Sequence, residues 1–406
     1  MVENSNMNPE TAESPDVDEL ESLRQEINSI DKSMAALFQA RMKTVQQIAA
    51  YKREHGLSIF DGARESDVIA LNRSYISDPE IEPHYVDFMH TVMNISRRYQ
   101  EKIISSMKIA YAGVPGAFSY IAAKKMFPSA RLIAFPTFTQ AYRAVESGEV
   151  DSAVLPLENS WAGEVGEVMD LIFSGSLFIN QVLDLPVTHN LLGIKGAGIQ
   201  DITRVTSHPQ ALEQCRSFLE ARNIEAAACS NTAAAAKMVS DAGDIHLGAI
   251  ASSETSKIFG LDILEPHIND DPYNTTRFAA FSRAQNRPQP DSNHEDDHFI
   301  LVFTAKNEAS SLAQVLNIIG AHDYNMGTMR SRPMKGLLWN YYFYIEAEGN
   351  IHTEEGTEML RELNVLCAQL KMAGTFRAGT NLISSTVQSR NTTAQEKTLS
   401  NQNHCQ

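Results

Sequence analysis

Leu20, Leu23, Ile27, Ile30, Met34 and Leu37 recur at alternating spacings of three and four residues, the seam of a helix that packs on other helices. The pattern runs to Glu54, where His55-Gly56 stops it. That predicts one helix of about 40 residues, roughly 58 Å long at about 1.5 Å per residue. Such a rod cannot bury its seam against itself, and the short remainder of the helical zone cannot cover it, so the seam predicts an intertwined dimer. The next seam position is Arg41, followed by Thr44, Ile48 and Tyr51. A guanidinium at a core position is costly unless its charge is paired. A structural ion pair or a snorkelling side chain would satisfy it; so would an anionic ligand. Lys52 favours the ligand, because eleven residues along a helix returns to the same face about 16 Å away. Arg24 falls about 100° off that face and is expected to point elsewhere, into the other subunit's site. Asp61, Arg64 and Glu65 cluster after the helix break, and Ser96 and Gln100 stand at i,i+4 on a later helix, able to face one pocket. Two arginines and a lysine converging in an apolar bundle suit a compact dianion.

Across its 406 residues the chain divides by texture. Residues 1–16 form a polar, acidic tail expected to be disordered, and residues 17–104 are helical. From 107 to 283, short apolar runs alternate with helical stretches, with candidate strands at Lys108–Gly113, Arg131–Phe135, Ser152–Leu157, Val182–Leu192, Ile202–Ser207 and Leu247–Ala251. This is the signature of an α/β domain with mostly parallel sheets. Residues 284–297 carry almost no apolar side chain and read as a linker. Residues 298–379 follow the order βαββαβ, a ferredoxin-like module, and residues 380–406 are a second polar tail.

The formal net charge of -16 argues against nucleic acid as a partner. No apolar run approaches the length of a membrane span, and the N-terminal stretch lacks the basic and apolar regions of a signal peptide. Cys215, Cys229, Cys367 and Cys405 are far apart, which predicts reduced thiols of a cytoplasmic protein and no metal site. A dinucleotide fingerprint and a phosphate-binding Gly-Lys-Ser/Thr are both missing, so no cofactor is expected.

In the α/β zone, Gly113-Val114-Pro115-Gly116-Ala117-Phe118-Ser119 follows a strand and opens a helix, where free N–H groups meet an anion; a bare structural turn has the same pattern. Glu158-Asn159-Ser160, Thr188-His189-Asn190, Ser207-His208-Pro209-Gln210 and Asn274-Thr275-Thr276-Arg277-Phe278 place polar residues at strand ends, where α/β folds bind ligands. Singly, each could be a turn or a helix cap, with Ser207 and Asn231 as candidate caps.

The segment from about Leu20 to Lys102 resembles the α-helical chorismate mutases. Leu23-Arg24-Gln25-Glu26-Ile27-Asn28-Ser29-Ile30-Asp31 matches the family's opening L-R-x-x-I-x-x-I-D, and Asp61-Gly62-Ala63-Arg64-Glu65 its D-x-x-R-E cluster. The resemblance implies that Arg41, with Arg24 of the partner chain, holds two carboxylates in a reactive conformer. It implies that Ser96 and Arg64 support them, that Asp61 and Glu65 receive the ring hydroxyl, and that Lys52 and Gln100 stabilise the breaking ether oxygen. Such a donor is worth about 3 kcal/mol. A pericyclic rearrangement needs neither nucleophile nor proton relay.

Glu-Asn-Ser, Ser-His-Pro-Gln-Ala-Leu and Thr-Arg-Phe, in this order, resemble the prephenate dehydratases. That implies two α/β subdomains with the site in the cleft between them. Thr276 takes the acid-like role, as a hydrogen-bond donor or proton relay, and Glu158, Asn159, Ser160, His189, Ser207 and Gln210 bind the substrate; Arg277 braces the threonine. Ala117 and Trp161 depart from the family pattern. The last module resembles the ACT regulatory domains, which implies phenylalanine as effector near Ser310-Ser311-Leu312 and Arg330-Ser331-Arg332-Pro333. Serine replaces glycine at Ser310 and arginine replaces glutamate at Arg330, which puts a weakly binding dimerisation module beside the effector reading. Together the resemblances imply a multi-domain enzyme, homodimeric or tetrameric, acting on chorismate and then prephenate. A mutase–dehydrogenase lacks its nicotinamide fingerprint here. A non-catalytic amino-acid sensor with the same domains is the rival from another class, opposed by the retained Lys52, Gln100, Glu158 and Thr276.

Overall fold

The computed structural model describes residues 15–59, 62–104, 107–288, 296–334 and 340–378. Residues 1–14 of the first expected tail, the second tail after residue 378, Asp61 and half of the expected linker lie outside the described residues, while Pro15 and Asp16, expected in the tail, open the first helix. The chain forms two compact units, residues 1–50 with 62–103 and residues 51–61 with 104–406.

The first unit is helical. Helix α1 (Pro15–Glu54) spans 40 residues, followed by α2 (Gly62–Arg73) and α3 (Glu82–Ile104). The seam of α1 is bare along its first half: Leu20, Leu23, Ile27, Ile30, Met34 and Leu37 are all exposed, Leu37 to 71%. Each leaves on the order of 1 kcal/mol of burial unrealised. Burial begins only at Val45 and Ala49, while α3 buries Met89, Val92, Met93 and Ser96. Asn72 ties α2 to α3 by accepting from Tyr85 Oη at 3.3 Å.

The second unit begins at the end of α1, where Gly56 takes φ +61°. A Cβ there would stand 2.8 Å from Ser152 Oγ, and the His55 carbonyl accepts from Asn180 and Ser282. A first lobe follows: β1 (Lys108–Ala112), α4 (Phe118–Met126), β2 (Arg131–Phe135), α5 (Phe138–Glu146), β3 (Ser152–Asn159), β4 (Gly163–Glu164), α6 (Gly166–Ser174) and β5 (Phe178–Pro186). The chain then crosses into a second lobe built from β6 (Asn190–Gly193), β7 (Arg204–Ser207), α7 (Pro209–Glu213), α8 (Arg216–Arg222), β8 (Glu225–Ala228), α9 (Thr232–Ala242), β9 (Leu247–Ala251), α10 (Ser253–Phe259) and β10 (Asp262–Glu265). It returns through β11 (Thr275–Ser282). Val187 N–H bonds the Asn274 carbonyl at 2.8 Å, so the outgoing and returning crossings are paired.

Two expectations change here. The single strand read over Val182–Leu192 is two strands in two sheets, broken at Pro186, which has no N–H to continue a ladder. The sheets are also mixed: β11 lies antiparallel between β3 and β5, and β6 lies antiparallel to β9 and β10. Because the two crossings are paired at one end of the sheet, β11 enters beside the departing β5 in the opposite sense.

The remaining elements are β12 (Asp297–Thr304), α11 (Ser311–Ala321), β13 (Met326–Pro333), β14 (Tyr341–Glu348), α12 (Glu354–Leu366) and β15 (Gln369–Arg377). Their sheet order is β13-β14-β12-β15, and β15 meets β5 edge to edge at Gly374 and Ile179. Any Cβ at Gly374 would collide with the Ile179 backbone. One apolar core is shared across this joint: Leu155, Met169, Ile172 and Phe281 pack in the same cluster as Ile300, Val302, Tyr342 and Phe376. The described start of the expected linker is bound down, with Arg283 donating to the Val145 and Val150 carbonyls and Asn286 N–H to Asn180. Polar composition there serves hydrogen bonding rather than flexibility.

Candidate active sites

In the helical unit, Arg41 donates to Ser96 Oγ, and Ser96 in turn donates to the Val92 carbonyl at 2.7 Å. Burial lowers the Arg41 pKa; its charge sits where the apolar seam would otherwise continue. Gln100 is buried at 8% exposure, and its Oε1 has no partner among the described residues. Glu65 pairs with Arg97 at 3.3 Å. Arg24 lies exposed beside Glu21 at 3.5 Å, and Arg64 is exposed. Lys52, in the second unit, donates to the Ile59 carbonyl at 2.6 Å.

The second unit holds a cleft of about 670 Å³ between its two lobes. Five helices begin on its wall: α4 at Ala117–Phe118, α5 at Thr137–Phe138, α6 just after Glu164–Val165, α7 at His208–Gln210 and α9 at Asn231–Thr232. Thr137 caps α5 by accepting from Gln140 N–H, and Asn231 caps α9 by accepting from Ala234 N–H. The α4 and α6 N-termini have no side-chain cap, since Ala117 and Val165 stand at those positions. Their first-turn N–H groups are available to an anion. The only charged side chains among the described lining residues are Glu164 and Glu167. Glu167 is occupied by Thr139, which donates from N–H at 3.1 Å and from Oγ1 at 2.7 Å. The cleft therefore offers dipoles, not cations, to an anionic ligand.

Its floor is a locked amide. Asn159 Oδ1 accepts from Trp161 and Ala162 N–H at 3.1 and 2.9 Å, which fixes its orientation. Asn159 Nδ2 then donates toward Asn274 Oδ1 at 2.7 Å, the Thr275 carbonyl at 3.2 Å and Thr276 Oγ1 at 2.9 Å. Because Thr276 accepts this bond, its own hydroxyl hydrogen is left for an acceptor in the cleft. Opposite, His189 is 2% exposed and lies edge-on to Phe118. Burial lowers its pKa, so the ring is neutral at pH 7. Its Nε2 pairs with Gln214 Oε1 at 2.9 Å, leaving Nδ1 as an unpartnered acceptor.

Of the residues expected in this site, Asn159, His189, Gln210 and Thr276 line the cleft. Glu158, Ser160 and Ser207 are not brought to it. Successive strand residues face opposite ways, so Glu158 leaves the cleft that Asn159 enters and pairs with Arg330. Ser160 accepts from Thr275 N–H at 3.0 Å, and Ser207, fully buried, donates to the Ile250 carbonyl at 2.6 Å. His208, not Ser207, caps α7. Sequence reading missed Gln214, Glu164 and Glu167; Gln214 lies one helical turn beyond Gln210, a spacing that signals a shared face. Thr275–Arg277 open a strand instead of following one, because the apolar half of β11 comes after them.

Arg277, next to Thr276 in β11, is bound to carboxylates on two other strands. Its Nε and Nη2 hold Asp184 at 2.8 and 3.2 Å, and Nη1 reaches Glu346 of β14 at 3.2 Å. The Asp184 bonds outweigh burial and raise its pKa. At the expected effector positions, Ser310 takes φ +70° at the start of α11, beside Ser311 and Leu312. In β13, Arg330 and Arg332 share the inner face while Ser331 and Pro333 are exposed. Arg330 pairs with Glu158, and Arg332 with Glu164 and Asp170. Both arginines, expected as effector ligands, are paired with carboxylates of the first lobe.

Residues 109–286 match the family model for prephenate dehydratase, and residues 23–101 that for chorismate mutase type II. A chloroplastic arogenate dehydratase/prephenate dehydratase 1 of Arabidopsis thaliana is 34% identical over 286 residues, 67% of this chain and 72% of the relative. A bifunctional chorismate mutase/prephenate dehydratase of Neisseria gonorrhoeae is 29% identical over 363 residues, 87% of this chain and 95% of the relative. A prephenate dehydratase from Arthrobacter aurescens, solved in complex with L-Phe, superposes with a TM-score of 0.61 at 25% identity, covering 72% of this chain and 99% of that one.

Proposed function

The chain belongs to the bifunctional chorismate mutase/prephenate dehydratase family, and from that premise we propose how its residues divide the work. It is an enzyme of phenylalanine biosynthesis that rearranges chorismate to prephenate and converts prephenate to phenylpyruvate. The observation that carries the dehydratase assignment is Thr276, whose hydroxyl accepts from Asn159 and keeps its own proton for the cleft.

In the dehydratase step the ring hydroxyl takes up a proton, drawn from solvent and relayed through Thr276 Oγ1, and leaves as water, while the ring carboxylate leaves as carbon dioxide and its bonding pair completes the aromatic ring. Thr276 donates a hydrogen bond to the departing hydroxyl. The uncapped α4 and α6 N-termini hold the carboxylates, and His189 Nδ1 accepts a substrate hydroxyl. Gln210 and Gln214 complete the wall. In the mutase step, Arg41 with Ser96, and Arg24 of a second chain, hold chorismate's carboxylates, while Lys52 and Gln100 stabilise the ether oxygen as it gains charge. Arg64 supports the carboxylates with Ser96, and Asp61 and Glu65 receive the ring hydroxyl. The bare α1 seam supports a dimer in which a second copy covers it and completes this site. Residues 17–104, 107–283 and 298–379 are the mutase, dehydratase and ACT-type regulatory domains, and phenylalanine binds the last near Ser310–Leu312 and Ser331. The L-Phe complex of the Arthrobacter aurescens relative supports this effector.

The test is ultraviolet absorbance with purified chain and chorismate, no cofactor added. Chorismate loss followed by phenylpyruvate is expected; prephenate accumulating without phenylpyruvate would sink the dehydratase half. Adding phenylalanine should slow phenylpyruvate release, and unchanged rates would sink the feedback.

A further inference from the structure

Glu164 presents the cleft with a carboxylate on the same wall where the α6 N-terminus offers bare N–H groups. A dicarboxylate approaching those amides meets like charge unless Glu164 is neutralised. The neutralising group comes from outside the catalytic lobe. Arg332 of β13 sends Nη1 to Glu164 and Nε to Asp170 Oδ1 at 3.3 Å. Asp170 is in turn held by Tyr342 Oη at 3.0 Å. The path of the guanidinium is built: it lies against Gly166, the first residue of α6, where a Cβ would stand 2.7 Å from Nη2.

We propose that Arg332, supplied by the C-terminal module, is a positioning residue of the dehydratase cleft, holding Glu164 to the wall and cancelling the charge that would repel the dicarboxylate. The C-terminal module thus completes the cleft even with no effector bound, and any movement of β13 would alter substrate affinity before it altered chemistry. This rests on the dehydratase reading above.

The experiment is prephenate kinetics on the full chain, with circular dichroism and the denaturant midpoint as the folding control. Arg332→Gln should raise KM about fivefold, the effect of one uncancelled charge in a solvated cleft, with kcat within about twofold. Adding Glu164→Gln to that variant should bring KM back toward the parent value, which a merely structural arginine would not allow. Arg332→Lys, keeping the charge, should recover part of the loss. If Arg332→Gln fails to fold, Gly166→Ala displaces the guanidinium while leaving both charges, and should raise KM in the same direction. An unchanged KM in both variants, or a fall in kcat that Glu164→Gln does not relieve, overturns the proposal alone. A parent chain that releases no phenylpyruvate from prephenate overturns the dehydratase reading and this proposal together.

Discussion

The helical unit and the cleft unit solve the same problem, holding a small dicarboxylate, by opposite means. The helical unit uses charged side chains in an apolar seam: Arg41 at the end of a run whose earlier members, Leu23 to Leu37, are exposed. The cleft unit brings helix N-termini to its ligand and spends its arginines elsewhere, Arg277 and Arg330 on carboxylates at the joint with the C-terminal module. The exposed seam leaves the face of α1 open before Arg41, and the proposed second chain would close the site there. Two lobes joined by paired crossings have a cleft already, and five helices begin on its wall.

That contrast breaks most sharply at the chemistry. Thr276→Ala should lower phenylpyruvate formation at least about a hundredfold while chorismate consumption persists and prephenate builds up, with Thr276→Ser retaining most activity. Lys52→Ala should do the reverse, lowering mutase turnover about a hundredfold. If either variant, folded by circular dichroism, lost both reactions, the division into two sites would be wrong. The next effect is on assembly. Ile27→Asp should abolish a dimer peak by light scattering and cost mutase activity more than about tenfold on dilution, with dehydratase activity nearly intact. Equal loss of both would mean the cleft also depends on a second chain.

Smaller effects report on the joint between the cleft and the C-terminal module. Arg277→Met leaves Asp184 and Glu346 without their shared counter-ion and should cost about 2–3 kcal/mol of stability, read as a denaturant midpoint. Lys371, which donates to the Ile172 and Gly175 carbonyls at the end of α6, has its pKa pushed down to about 8 by burial. A base whose folded pKa lies below its unfolded value binds fewer protons when folded. Stability should therefore rise as pH climbs from about 8 to about 10.5, by a few degrees of Tm, and Lys371→Met should flatten that rise. A rise that persists in the variant would assign it to another group.

Much of this was legible in the chain. The seam, its stop at His55-Gly56 and the anomalous Arg41 are local periodicities, and the structure keeps all three. The polar motifs at strand ends were legible as motifs, but not which residue of each faces the ligand. Asn159 and Thr276 enter the cleft while their neighbours Glu158 and Arg277 turn to the C-terminal module. Adjacent strand residues always part company in this way, yet which face is the cleft depends on where β11 is inserted.

The sequence by itself determined the helical rod, the alternation of strands and helices, and the set of side chains able to do the chemistry, because these follow from spacing and residue type. Only the tertiary structure decided that Glu158, Arg330 and Arg332 serve the joint, that Gln214 and Glu164 belong to the cleft, and that helix N-termini gather on its wall. Those outcomes depend on strands and helices far apart in the chain, and on helix ends whose dipoles have no residue letter.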